Sequence, residues 1–222
     1  DCQAQRIDSR LDGTLIVFDA TGKELMKSRG YRNGDALIDF KAPVAGKYVV
    51  GVGDFVYRGG AEYMYRLDLR SGPYIDFVVP SIGAPGSNGQ YTVYGRNLPG
   101  GKPVPGMVSG SAVLEQATVN IAVPAQAELD AKPSAYQALR GASLDTVSFQ
   151  LPGSNVVQVG VAVAPVVVEK EPNATPDKAQ QLTVPAHVSG QFYPARDADW
   201  YQFSAKKGEI YWLEVTSQRR GL

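Results

Sequence analysis

The sequence predicts an all-β fold built from β-sandwich modules in tandem. Short apolar runs recur along the chain, and residues typical of turns separate them. The 24 glycines and 15 prolines are scattered, without the three-residue period of collagen, which indicates many turns between short strands. At 222 residues, the chain is long enough for two domains of ordinary size.

The first part of the chain predicts a series of strands joined by turns. Residues 14–19 are an apolar run, and the glycine-containing turn at 20–23 predicts a hairpin with residues 24–26. Further strands are predicted at residues 36–40 and 47–52, with a turn between them that contains Pro and Gly.

Residues 62–69 alternate in character, which predicts a strand with one apolar face. That face would carry Tyr63, Tyr65, Leu67 and Leu69. Gly72 and Pro73 then interrupt the pattern. We therefore predict that a first domain covers residues 1–71.

Residues 72–167 differ in composition, with fewer charged residues and more glycine, serine, valine and alanine. Strands are predicted at residues 74–79, 90–94, 112–123, 146–151 and 155–164. Loops are predicted at residues 80–89 and 98–106, and one short helix at residues 133–139. Several short strands with turns between them predict a second sandwich domain.

Residues 168–222 form the third predicted region. An aromatic strand is predicted where Trp200, Tyr201 and Phe203 follow one another. We interpret these rings as core residues, with either Trp200 or Tyr201 on the core face and the other packing outward, rather than as an exposed aromatic binding platform. Residues 206–209 predict a tight turn. In an extended backbone after it, residues 210, 212 and 214 would lie on one face and residues 211, 213 and 215 on the other, and both faces would carry apolar side chains.

The composition narrows the classes of partner. Lys and Arg, 22 together, balance the 22 Asp and Glu, so the charge gives no reason to bind nucleic acid or an anionic membrane. No apolar run approaches the about 20 residues that span a bilayer. One cysteine excludes an internal disulfide. The chain does not begin with Met, so we interpret it as a fragment or mature segment whose lack of a signal peptide says nothing about export.

No arrangement of catalytic residues is predicted. His187 is the only histidine, and no G-x-S-x-G motif is present to provide a nucleophile for it. Asp197 and Asp199 are two residues apart on one loop, so they lack the facing geometry of glycosidase carboxylates. We therefore expect that the chain is not an enzyme.

Acidic residues in the last region are the best candidates for a metal site. Calcium takes about six to eight oxygen ligands, several of them carboxylates, from a loop that can wrap around the ion. Glu169, Glu171 and Asn173 alternate, so an extended backbone would point all three to one side. Asp197 and Asp199 do the same on a later loop. The alternative is a solvated acidic linker in which Asp199 caps a turn.

Two groups of motifs resemble the bacterial pre-peptidase C-terminal (PPC) domain. Its first half is similar to EKEPN at residues 169–173, HVSG at 187–190, DADWYQF at 197–203 and KGE at 207–209. Its second half is similar to LDGTL at residues 11–15, FDATGKEL at 18–25, PVAGKY at 43–48 and YRL at 65–67. The spacing of these motifs makes the resemblance fairly specific.

The two halves occur in inverted order along the chain. The resemblance thus implies that the chain starts inside one PPC-like copy and stops inside a second one, as an excerpt of a longer tandem protein. The alternative is that the halves complement each other, within a chain or between chains. A half-sandwich exposes strand edges and an uncovered apolar face, which favours pairing or aggregation.

The middle region resembles the start of an immunoglobulin-like IPT/TIG domain. The resemblance is carried by YIDFVVP at residues 74–80, Gly83, Gly86 and YTVYGRNL at residues 91–98. A proline, a glycine-rich loop and a G-x-N-L ending are common in that family. The implied fold is therefore an Ig-like sandwich between two jelly-roll-like half-sandwiches.

The PPC resemblance implies a ligand set for calcium. Some members bind it with a Glu-x-Glu-x-Asn opening and an aspartate before the aromatic strand. This implies Glu169, Glu171, Asn173 and Asp199 as ligands, with Asp197 as a further candidate. Ala174 departs from the pattern, because calcium-binding relatives tend to have another acid there.

The resemblance also implies a role. PPC-like modules are non-catalytic parts of secreted or cell-surface bacterial proteins that assist secretion, folding, or attachment to substrate or matrix. The expected partners are neighbouring domains of a longer chain and extracellular matrix or polysaccharide. Two alternatives stay open: part of an exported peptidase or glycosidase whose catalytic domain lies outside this chain, and a collagen- or polysaccharide-binding domain that uses exposed Tyr and Trp.

Overall fold

The computed structural model describes residues 1–30, 34–109, 112–131 and 146–217. Strands dominate these residues, and the predicted all-β sandwich fold is confirmed. The chain divides into two compact units, one built mainly from residues 1–71 and the other mainly from later residues. The three predicted domains, 1–71, 72–167 and 168–222, stay predictions. No helix among the described residues is long and apolar enough to cross a membrane.

The first unit contains two small antiparallel sheets. Its strands are β1 (Cys2–Gln3), β2 (Gly13–Phe18), β3 (Glu24–Arg29), β4 (Val49–Asp54) and β5 (Arg66–Leu67), and a 3-10 turn spans Gln5–Ile7. One sheet has the order β3-β2-β4, which confirms the predicted hairpin, and the other pairs β1 with β5. The core consists of Cys2, Ala4, Leu11, Leu15 and Ala36, with Ile38, Val50, Val52, Tyr63 and Leu67 packed against it.

Two predicted strands of this unit are wrong. Residues 36–40 make a single bridge, between Ala36 and Cys2, before the chain leaves the sheet. Residues 62–69 are reduced to β5, because the partner strand β1 offers only two residues for pairing. Tyr63 and Leu67 still pack on the core, whereas Tyr65 and Leu69 on the same predicted face are exposed. Alternation alone does not make a strand where no partner strand runs alongside.

The second unit begins with a β-sandwich. Its strands are β6 (Tyr74–Val79), β7 (Ile82–Gly83), β8 (Asn88–Arg96), β9 (Lys102–Ser109), β10 (Ala112–Ala122), β11 (Thr146–Phe149) and β12 (Val157–Val161). The orders are β6-β8-β10-β9 in one sheet and β11-β12-β7 in the other. One apolar cluster fills the core, drawn from both sheets: Ile75, Val78, Tyr91, Val93, Leu98, Ile121, Val123, Val147, Val157, Val159 and Val161.

Two polar side chains from other segments, Arg96 and Asn155, form hydrogen bonds with residues of strand β6. The buried Arg96 donates two hydrogen bonds, of 2.7 and 2.6 Å, to the carboxylate of Asp76. The side chain of Asn155 accepts from the backbone N–H of Ile75 and donates to its carbonyl, at 2.7 and 2.8 Å. Asn155 therefore satisfies backbone groups of Ile75 that no neighbouring strand would reach.

Two loop predictions for this region change, and one helix prediction cannot be compared with the structure. The predicted loop at residues 98–106 contains the start of β9, which tolerates Pro103 and Pro105 because it is an edge strand. The predicted loop at residues 80–89 contains β7. The predicted helix at residues 133–139 lies outside the described residues, and an unpredicted short helix α1 spans Gln126–Ala131.

Very short strands organise the end of the described chain. They are β13 (Val166–Val168), β14 (Gln180–Leu182), β15 (His187–Ser189) and β16 (Tyr201–Phe203), with a 3-10 turn at Pro176–Lys178. β13 pairs with β15 and β14 with β16, both in parallel. Tyr201 and Phe203 are half-buried while Trp200 is 45% exposed, as expected for neighbours on opposite faces of a strand.

The alternating segment after the predicted turn forms no strand. The turn itself is confirmed, because the N–H of Glu209 donates to the carbonyl of Lys206 at 3.2 Å. Beyond it, residues 210–217 pair with no strand among the described residues. Four large apolar side chains there are at least 80% exposed: Ile210, Trp212, Leu213 and Val215.

Candidate metal centre

Two loops of the second unit meet beside strands β13 and β15. Glu169 directly follows β13, and its Oε2 accepts the backbone N–H of Gln191 at 2.6 Å, just beyond the paired strand β15. The second loop leads into β16, where the N–H of Trp200 donates to the carbonyl of Asn173 at 2.9 Å. These contacts fix the acidic opening of the region against the loop that carries Asp197 and Asp199.

The structure brings together all five residues that the sequence predicts as ligands. Four of them, Glu169, Glu171, Asp197 and Asp199, each offer one carboxylate oxygen, and these oxygens lie within 4.8 Å of one another. We call these four residues the acidic cluster. Asn173 is fully buried beside it, and its Nδ2 donates to Oε1 of Glu169 at 3.4 Å.

The electrostatics of the acidic cluster disfavour full ionisation. Burial raises the pKa of Asp199 to about 7, helped by a hydrogen bond to Glu169 and by the charges of the other cluster carboxylates. Burial followed by the same negative charges raises the pKa of Tyr201 to about 12. No Lys or Arg among the described residues forms an ion pair with the cluster. The site therefore concentrates negative charge without a protein cation to balance it.

Two buried oxygens at the site have no hydrogen-bond donor. They are Oδ1 of Asn173 and Oδ1 of Asp199. A buried acceptor without a partner costs about 1–3 kcal/mol, so native proteins rarely leave one in that state. Asp199 is one of the four residues whose carboxylate oxygens converge, and the side chain of Asn173 contacts Glu169 of the same cluster. The donor set is made of carboxylate and amide oxygens, with neither thiolate nor imidazole, which is the chemistry that calcium prefers.

The sequence reasoning missed the backbone residues that support the site. Gly190 is one of them, because a Cβ there would lie 2.8 Å from Oε2 of Glu169 and 3.1 Å from the Tyr201 hydroxyl. Gln191 is another, since its N–H orients Glu169. The available signal was the glycine that ends the HVSG motif at residues 187–190, because a glycine beside an apolar run often marks a close backbone approach.

The two loops are also attached to the sandwich of the same unit. The N–H of Ser81 donates to Oγ of the buried Ser189 at 2.9 Å. The hydroxyl of Tyr193 donates to the carbonyl of Pro105 on β9 at 2.9 Å, and the N–H of Tyr193 donates to Oδ2 of Asp197 at 3.1 Å. Asp197 thus holds a loop that touches the four-stranded sheet.

Comparison with known proteins gives no match for this chain. No family model, no curated protein and no solved structure matches the chain. The resemblance to PPC and IPT/TIG domains therefore rests on motifs in the sequence, and the metal centre on those motifs and on the geometry above.

Proposed function

We propose that this chain is a non-catalytic accessory module of an exported bacterial protein, stabilised by calcium at the acidic cluster. One observation carries the metal site: four carboxylates converge where two buried oxygens, on Asn173 and Asp199, have no hydrogen-bond donor. Among the described residues, these four form the one group of three or more His, Cys, Asp or Glu side chains that lie close enough together to hold a metal ion.

The four residues of the acidic cluster come from two loops, and each would supply a ligand in this proposal. Glu169 is oriented by the N–H of Gln191, and Glu171 accepts the N–H of Asn173 at 3.0 Å, so both carboxylates are held before an ion arrives. Asp197 and Asp199 come from the second loop. Bound calcium would neutralise the facing carboxylates and cross-link the two loops. Binding to the folded state alone would then raise stability by mass action.

The proposed role in the parent protein follows from the PPC resemblance. A module of this kind would be secreted or cell-surface, and would assist secretion or folding of a neighbouring domain or attach it to matrix or polysaccharide. Peptidase and glycosidase substrates should be left intact by the purified chain, and turnover of either would contradict the non-catalytic role.

Isothermal titration calorimetry on the metal-free chain tests the calcium site. We expect one calcium per chain, with magnesium binding far more weakly because it demands a smaller, near-octahedral site. Asp199→Asn and Glu171→Gln should each lose most of the binding heat. Asp8→Asn is the matched control, because Asp8 is exposed and its left-handed backbone (φ 59) accepts Asn. Absence of calcium binding at millimolar concentration would reject the site.

The exposed segment at residues 210–217 favours a second element of the proposal, complementation between half-modules. Its apolar side chains alternate as in a strand, yet Trp212 is 96% and Ile210 86% exposed. We infer that this segment pairs with a strand edge of another half-module, in a second copy of the chain or in a longer protein. Light scattering across concentration should show association that Trp212→Ser weakens. A monomer at every concentration would contradict pairing between chains.

A further inference from the structure

The four-stranded sheet of the sandwich has an outer face that points away from the apolar core. Along β8, Tyr91 and Val93 enter the core, so Thr92 and Tyr94 point away from it. The register of β8 with β10 sets Thr92 opposite Thr118 and Tyr94 opposite Gln116. The outer face therefore carries a continuous row of side chains across neighbouring strands.

Most of this row is polar and uncharged. Its amide and hydroxyl side chains are Asn88, Gln90, Thr92, Gln116, Thr118 and Asn120. None of these six side chains forms a hydrogen bond with another described residue. Their hydrogen-bond donors and acceptors are therefore available to solvent or to a ligand.

Aromatic rings border the polar row. Phe77 and Tyr94 stack with 4.7 Å between ring centroids and 17° between ring planes. Tyr193 comes from the loop beside the metal centre and reaches the carbonyl of Pro105 on β9. Burial, and then the nearby Tyr193 hydroxyl, raises the pKa of Tyr94, so the two rings share one environment. Beside Tyr193, Phe192 is 73% exposed.

A depression of about 280 Å³ lies on this face. It is lined by Thr92, Gly100, Lys102, Gln116, Ala117 and Thr118. Ligand pockets usually enclose about 300–1,000 Å³, so this one fits a small ring-sized group rather than a large cofactor. Four of the six lining residues are polar, and Lys102 is the one that carries a charge.

The chemistry of this face suits a sugar better than other ligands. Aromatic rings offer an apolar surface on which a sugar ring can stack, while amides and hydroxyls pair with its hydroxyl groups. A single lysine does not make the basic groove that nucleic acid or an anionic polymer requires. An added peptide strand would pair at a sheet edge and leave this face unused.

We propose that the outer face of the β6-β8-β10-β9 sheet binds a neutral oligosaccharide. Its rings stack near Tyr94 and its hydroxyls bond with Gln116, Thr118 and Thr92. This inference deepens the attachment role proposed above and rests on it. The loop carrying Tyr193 forms one side of the site, and Asp197 of the acidic cluster holds that loop in place.

The test is a titration of the whole chain with a panel of neutral hexasaccharides of glucose, xylose, mannose and N-acetylglucosamine, with hexagalacturonate as the charged comparison. Binding is followed by amide chemical shifts and by Tyr and Trp fluorescence. We expect at least one neutral hexasaccharide to bind more tightly than hexagalacturonate. Gln116→Ala should weaken it about tenfold, as expected for loss of a ligand hydrogen bond or two.

The matched control is Gln158→Ala, an exposed glutamine on strand β12 of the opposite sheet. That variant should bind as the unmodified chain does. Failure of all four neutral hexasaccharides at millimolar concentration would overturn the inference, as would equal losses in the two variants. Calcium titration of the same samples separates the proposals: calcium binding without saccharide binding overturns this inference alone, and absence of both overturns the attachment role and the metal site together.

Discussion

Carboxylates with shifted pKa values occur in both units of this molecule, and the shifts have opposite directions. In the first unit Asp35 is 1% exposed, and its oxygens accept the N–H groups of Ala4 and Gln5 at 2.8 and 2.7 Å and Nε of Arg6 at 2.6 Å. Asp54 accepts three backbone N–H groups and an Arg58 side chain. Hydrogen bonds, above all from the Arg58 N–H, lower the pKa of Asp54 to about 2.

Asp199 of the acidic cluster, in the second unit, has the opposite environment. Burial, a hydrogen bond to Glu169 and the charges of the other carboxylates raise the pKa of Asp199 to about 7. One of its oxygens has no hydrogen-bond donor. Donors supplied by the chain make a carboxylate a structural element, as in the first unit. Carboxylates that face one another, with acceptors left over, make a place for a cation.

The largest effect is expected from removing a carboxylate that the chain itself satisfies. Asp35→Ala leaves three backbone N–H groups and Nε of Arg6 without their acceptor in a buried site, which should cost about 3–5 kcal/mol of unfolding free energy. Urea unfolding measures it, and the loss should be equal with calcium and with a chelator. A loss that depends on calcium would place Asp35 in the same class as the acidic cluster.

Asp199→Asn should have the reverse effect on the metal-free protein. The substitution removes one of four facing charges, so at pH 8 in chelator the variant should unfold at a temperature a few degrees higher than the unmodified chain. With calcium present the order should invert, because the ion loses a ligand. Thermal unfolding under both conditions gives the comparison. Destabilisation in chelator would mean that Asp199 has a structural partner, as Asp35 does.

The two environments also predict opposite pH dependence. The pKa of Asp54 is lowered to about 2, so its contribution is present above the unfolded pKa of about 4 and disappears as the pH falls towards 2. The pKa of Asp199 is raised to about 7, so the metal-free fold retains a proton that the unfolded chain has lost, and stability falls as the pH rises from about 4 to 7. Urea midpoints measured from pH 2 to 8 in chelator check both, and Asp199→Asn should flatten the upper limb only.

The smallest effect concerns the backbone that supports the cluster. Gly190→Ala would push a methyl group towards Glu169 and the Tyr201 hydroxyl, and should weaken calcium binding about tenfold, in the range seen for supporting residues of metal sites. Gly59→Ala is the matched control, because a Cβ at Gly59 meets no atom within 4 Å. Equal calcium affinity in the two variants would mean that Glu169 is not held by this close approach.

Local patterns predicted much of this molecule, and contacts distant in sequence decided the rest. The hairpin of β2 and β3 follows from turn residues and short apolar runs, which are local. The residues from Glu169 to Asp199 that meet at the acidic cluster were expected from alternation and from the PPC resemblance, and their role as calcium ligands stays a prediction. The strand predicted at residues 62–69 fails because its partner β1 is two residues long, and β9 was missed because its prolines are tolerated only at a sheet edge.

The residues that support the candidate metal centre illustrate the same limit. Gly190 and Gln191 matter because the parallel pairing of β13 with β15 sets them against Glu169, and no local pattern encodes that pairing. The burial of Asn173 depends likewise on the N–H of Trp200 from the second loop. A sequence can therefore nominate the ligands, while the fold determines which of their oxygens lack a donor.

Thermal unfolding of the unmodified chain in calcium and in chelator, beside Asp8→Asn and Asp199→Asn, tests the central claim most directly. Calcium at about 100 times its dissociation constant should stabilise the fold by about 2.7 kcal/mol. We predict a rise of several degrees for the unmodified chain and for Asp8→Asn, and little or none for Asp199→Asn. Identical curves with calcium and chelator for the unmodified chain would contradict it, and would leave the acidic cluster a solvated surface feature.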